Sequence, residues 1–66
     1  FAVEELRVGD IISYRRGERN ILHRIVEIGY DSEGWYAVTK GDNARLPDLG
    51  KVREGDITKV VIAVIY

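Results

Sequence analysis

Cysteine and methionine are absent from this chain, and histidine, tryptophan, phenylalanine and proline occur once each. Without cysteine there is no disulfide framework, no thiol nucleophile and no thiolate zinc site. An excess of one charge is missing too. Ten Lys and Arg stand against eleven Asp and Glu, a net charge of −1, so no summed field draws the chain to nucleic acid or to anionic lipid. No apolar run approaches the roughly 18 residues that a bilayer span needs. The longest, VVIAVIY at 60–66, has the length and β-branching of a central strand. One imidazole with Asp42 and Asp48, and no further His or Cys, is too poor a donor set for a specific metal site. No metal and no cofactor is expected.

What remains is a globular chain of 66 residues, 45% hydrophobic and 32% charged. That length allows one domain, 1–66, with a small core, since a chain of this size buries only about 60% of its unfolded surface. Trp35 and the Ile and Val positions are its expected members, with Phe1 a candidate. Ile, Val and Tyr recur in short runs broken by Gly and Asp, which predicts strands over 10–15, 21–30, 34–40 and 56–66. RGERN and YDSEG read as hairpin connections, 41–55 as a long loop, and no segment reads as a helix. The expected fold class is therefore all-β, a small mostly antiparallel sheet or partial barrel. RVGDI at 7–11 returns as REGDI at 53–57; Gly-Asp supplies a turn that feeds a β-branched strand, so the echo reads as punctuation rather than duplication.

The lone histidine lies in ILHRIVEI, residues 21–28. By period-2 geometry His23 shares a face with Ile21, Ile25 and Glu27, while Leu22, Arg24, Val26 and Ile28 take the other. Both faces are largely apolar, which predicts a well-covered strand. A histidine there is either a positioned base or a core residue bonded to a backbone carbonyl. The segment TKGDNARLPDLG brings two carboxylates, Asp42 and Asp48, into a chain that must fold back at Gly41, Asn43, Pro47 and Gly50. Either carboxylate, on reaching Nδ1 of His23, would fix the imidazole tautomer. Asp42, between Gly and Asn, is expected to bond the loop's own amides; Asp48, stiffened by Pro47, is the better orienting acid. Lys40 reads as solvated or as a partner for one of these Asp residues, and YRRGER as a solvated hairpin end. Trp35 and Tyr36 must point to opposite faces.

Taken together and in this order, GDIISYRRGERNILHRIVEI, YAVTKGDNARLPD and GDITKVVIAVIY resemble the catalytic domain of type I signal peptidases of the archaeal and endoplasmic-reticulum kind, over roughly residues 5–65. The resemblance implies that His23, in HRIV, is the general base where bacterial relatives use lysine. Asp48, with Asp42, would be its acidic partner. The family's nucleophile is a serine in a Ser-Met-x-Pro block that follows a membrane-spanning helix and precedes the matched region. Ser13 and Ser32 lie in no such block. LGKV after Asp48 and the ending VIY depart from proline-containing patterns in relatives. The chain is thus expected to be a truncated fragment of a membrane-anchored serine endopeptidase, inactive alone. The parent would act on signal-peptide-bearing pre-proteins at the extracytoplasmic or lumenal side. Strand edges exposed by truncation would favour self-association. A non-catalytic β-barrel binding or assembly module is the alternative, and an autocleaving LexA-like domain, which would want a buried lysine, is a third.

Overall fold

Two tight polar turns shape the chain first. Gly17 adopts a positive φ of 64°, and Gly34 one of 107°, conformations that a side chain would strain. Each closes a hairpin. In the computed structural model, which describes residues 1–61, the strands are β1 Ile11–Arg16, β2 Arg19–Asp31, β3 Gly34–Lys40, β4 Val52–Arg53 and β5 Ile57–Val61. They form one five-stranded sheet of order β4-β3-β2-β1-β5, with every neighbouring pair antiparallel. The fold is all-β, as its composition of β-branched runs predicts. Short 3₁₀ turns at Val3–Glu5 and Glu54–Asp56 are its helical elements among the described residues.

Strand β2 is the spine. Its first half pairs with β1, Ile12 opposite His23 and Tyr14 opposite Ile21, and its second half pairs with β3. Between Ile25 and Glu27 the register with β3 slips, leaving Val26 as an extra residue. Such a bulge reverses the alternation beyond it. Glu27 consequently stands opposite Val38, away from the His23 face, while Ile28 stands opposite the buried Ala37 and packs on the core. The uninterrupted period-2 pattern had placed both the other way. The expectation that both faces of β2 are covered also fails, because Leu22 is 60% exposed.

One face of the sheet carries the core. Ile12, Tyr14, Ile25, Trp35, Ala37 and Val52 are buried there, and Val3 and Leu6 of the N-terminal segment lie across them. Each completely buried Ile contributes about 1.5–3 kcal/mol. Trp35 is in this core, whereas Phe1 is exposed. Strand β4, at only two residues, was hidden in the long connection. Strand β5 ends the strand order rather than occupying its centre, and the rest of the predicted strand, 62–66, lies outside the described residues. The repeated Gly-Asp turns share one device: Arg7 N–H donates to Asp10 Oδ2 at 2.9 Å and Arg53 N–H to Asp56 Oδ2 at 3.0 Å. Each turn leads into a strand.

Candidate active site

The site forms where β3 ends and its chain turns back. At Lys40, β3 is still in register with Arg24. One step further places Gly41 beside His23, and a Cβ built on Gly41 would lie 3.1 Å from His23 Nε2. Only hydrogen occupies that space, so the loop can pass close to the ring. The chain then makes a turn closed by Ala44 N–H donating to Gly41 O at 2.9 Å. It returns so that Asp48 N–H donates to Thr39 O at 2.7 Å. That backbone bond fixes Asp48 next to Thr39, across from His23.

From there Asp48 Oδ2 meets His23 Nδ1 in a short charge-assisted contact. The same oxygen accepts from Thr39 Oγ1 at 2.8 Å and from Tyr14 OH at 3.2 Å, and Tyr14 OH lies 2.9 Å from Thr39 Oγ1. Tyr14 and Thr39 are buried, while the His23 and Asp48 side chains keep 33% and 27% of their surface. The pair is anchored from within and reachable from outside. Burial alone would push the Asp48 carboxyl up, but the bonds from His23 and Thr39, the His23 charge and the Tyr14 hydroxyl hold it below the usual carboxylate range. Burial raises Tyr14 and the Asp48 charge adds to this, partly offset by its bond to Thr39, so the phenol keeps its proton and remains a donor.

Asp42 goes elsewhere. Instead of the loop's own amides its carboxylate takes the Arg24 guanidinium, at 3.0 Å from Nε and 3.2 Å from Nη2. That bond, with Arg24's charge, holds Asp42 below the ordinary carboxylate range. Arg24 also donates to Gly9 O at 2.8 Å, tying the loop to the turn before β1. The structure therefore brings His23 and Asp48 together and turns Asp42 to the neighbouring arginine. Lys40 lies on the opposite face from His23 and donates to Gly41 O at 3.3 Å. Ser13 likewise faces away: its position is opposite Leu22, and its hydroxyl accepts from Asn20 Nδ2 at 2.8 Å and from Thr58 Oγ1 at 3.1 Å. Arg16 is no free hairpin charge, since it donates to the carbonyls of Leu49 and Lys51 at 3.1 and 3.3 Å. Among the described residues no three His, Cys, Asp or Glu side chains group as metal ligands, and no helix is long and apolar enough to cross a membrane.

An imidazole held at Nδ1 by a carboxylate, with no hydrogen bond to Nε2 among the described residues, is the arrangement of a general base. Over 49 residues the chain is 41% identical to the signal peptidase complex catalytic subunit SEC11 of Scheffersomyces stipitis, a stretch that covers 71% of this chain and 30% of that protein. By sequence this chain belongs with the signal peptidases of the endoplasmic-reticulum kind. No family model matches it, and no solved structure does. What sequence reasoning missed in this signal peptidase relative is the hydroxyl pair behind the acid. Tyr14 and Thr39 look like ordinary strand formers. Their one signal is position, since each falls on the inward-facing alternation of its strand, where a polar group must find a partner.

Proposed function

We propose that residues 1–66 form one domain that belongs to the catalytic domain of a signal-peptide-removing serine endopeptidase, and that they supply its general base and orienting acid. The observation that carries this reading is the His23 Nδ1 contact with Asp48 in a chain related to a signal peptidase catalytic subunit. A serine from a segment outside residues 1–66 would stand at His23 Nε2. As its oxygen attacks the scissile carbonyl carbon, its proton passes to Nε2. Asp48 stabilises the resulting imidazolium and keeps the ring oriented. The C–N bond then breaks as the imidazolium gives the proton to the leaving amine, and water repeats the cycle on the acyl-enzyme. Asp42, paired with Arg24, holds the loop in place.

The substrates on this reading are secretory pre-proteins, met by a membrane-anchored enzyme whose site faces the extracytoplasmic or lumenal side. Residues 1–66 contain no Met and hence no Ser-Met-x-Pro block, so the isolated chain is inactive; its exposed outer face, including Leu22 and Val61, favours self-association. The test is a chimera in which the stretch of this chain that matches the Scheffersomyces stipitis subunit, extended where needed to include His23 and Asp48, replaces its counterpart there. Pre-protein processing is expected to persist and to vanish with His23→Ala. A chimera that accumulates and processes equally well with Ala at position 23 overturns the reading and leaves a non-catalytic module.

A further inference from the structure

A carboxylate that orients a histidine must itself be held, and here the holding groups are unusual for a core. Tyr14 is 1% exposed and Thr39 fully buried, yet both present hydroxyls to one another and to Asp48. Phe and Val would fill the same volumes without burying polar atoms, which carry a desolvation cost unless bonded. A proton count then sets the directions. Each hydroxyl has one hydrogen. Thr39 lies 2.8 Å from Asp48 Oδ2 and 2.9 Å from Tyr14 OH, while Tyr14 is 3.2 Å from the same carboxylate oxygen. Thr39 and Tyr14 each direct that hydrogen at Asp48 Oδ2. An oxygen that accepts from both hydroxyls and also meets His23 Nδ1 carries no hydrogen of its own, as in the ionised carboxylate. The remaining contact at that oxygen, His23 Nδ1, must then be a donor.

We infer that Tyr14 and Thr39 are positioning residues: their hydroxyls hold the Asp48 carboxylate oxygen against His23 Nδ1, and so favour the tautomer that carries its proton on Nδ1 and leaves the Nε2 lone pair free. The lowered Asp48 carboxyl agrees with this, since Thr39 and Tyr14 both favour its charged form. The inference deepens the peptidase reading, because the choice of tautomer matters to function only if His23 is the base. The tautomer itself, however, is measurable in the 66-residue chain without any cleavage.

The experiment is ¹⁵N NMR of the His23 ring in labelled chain, at a pH where the imidazole is neutral. The expected wild-type form is predominantly Nδ1–H, with slowly exchanging hydroxyl protons from Tyr14 and Thr39. In Tyr14→Phe/Thr39→Val, which removes both hydroxyls while keeping shape, the Nδ1–H fraction is expected to fall, because the carboxylate is no longer held against Nδ1. Thr39→Ser, which keeps the hydroxyl, should behave as wild type. Where the double variant does not fold, Tyr14→Phe alone carries the same readout with a smaller shift. A folded variant with an unchanged tautomer, or a wild type that is mainly Nε2–H with fast-exchanging hydroxyls, overturns the inference. Nδ1–H in the wild type beside a chimera indifferent to His23→Ala would sink the catalytic reading while leaving this one standing.

Discussion

Two aspartates at opposite ends of the β2–β3 ladder show how differently one side chain can be used. Asp31, at the hairpin tip, receives Lys51 at 2.7 Å, Arg53 through two nitrogens at 2.8 and 2.9 Å, and Glu33 N–H at 2.9 Å. Arg53 and Lys51 hold its carboxyl far below the usual range. Those partners do not change charge near neutral pH, so the cluster is a staple that joins β4 and the chain before it to the hairpin. The shallow hollow beside it, lined by Trp35, Arg53 and Glu54 among others, offers no reactive pair. Asp48, at the other end, has a titratable ring and two hydroxyls instead. Its cluster holds a group that can gain and release a proton, and that group is partly exposed. A carboxylate saturated by permanent cations is architecture; one bonded to an imidazole can take part in chemistry.

The contrast can be broken most severely through Asp48. In an active enzyme carrying this segment, Asp48→Asn is expected to lower kcat by about 10⁴-fold, the scale for a triad acid whose loss favours the wrong tautomer. Asp31→Asn should leave the rate of the same enzyme near wild type. Steady-state turnover of a signal-peptide substrate decides between them, and equal losses would erase the distinction. Gly41→Ala sharpens it from the other side of the ring. Its Cβ would press on Nε2 at 3.1 Å, and displacing the base or its partner by a fraction of an ångström to 1 Å costs up to about 10²-fold. The predicted signature is a reduced kcat in a protein that melts normally.

Acid should separate the two ends by stability rather than rate. Both carboxyls are depressed in the folded state, so each stabilises the fold fully above the unfolded carboxylate value of about 4 and loses that contribution as pH falls through its folded value. Denaturant midpoints should decline on acidification below about pH 4. Asp31→Asn should flatten that decline more than Asp48→Asn does, because the cations hold Asp31 far lower. A decline that both variants leave intact would place the acid sensitivity elsewhere. The smallest effect belongs to Asp42→Asn. It breaks an exposed pair with Arg24, worth little and screened by salt, so thermal melting should shift within the scatter of surface substitutions and the shift should vanish in high salt.

How much of this was legible beforehand depended on how local the cause was. His23 and Asp48 were singled out by residue type and by the resemblance to signal peptidases, with Pro47 favouring Asp48 over Asp42, and the hairpins were marked by their glycines. Asp42 was assigned to the loop's amides because Arg24, eighteen positions away, becomes its neighbour only once β3 has paired with β2. Val26 gives no sign of being a bulge, yet it moves Glu27 off the His23 face and Ile28 onto the core. Tyr14 and Thr39 read as β formers, which they are, and nothing in an alternating pattern marks two inward hydroxyls as companions 25 residues apart.

By itself, then, the amino-acid order determined the strand-rich class, the turns at Gly17 and Gly34, the lone imidazole and the carboxylates within its reach, because backbone preference and side-chain alternation act over a few residues. Only the tertiary structure decided which carboxylate reaches the ring, what stands behind it and which ring nitrogen it meets. Those depend on the β2–β3 register, on the Asp48 N–H bond to Thr39 that returns the loop, and on the missing Cβ at Gly41. Contacts between residues distant in sequence exist only after the sheet has closed around them.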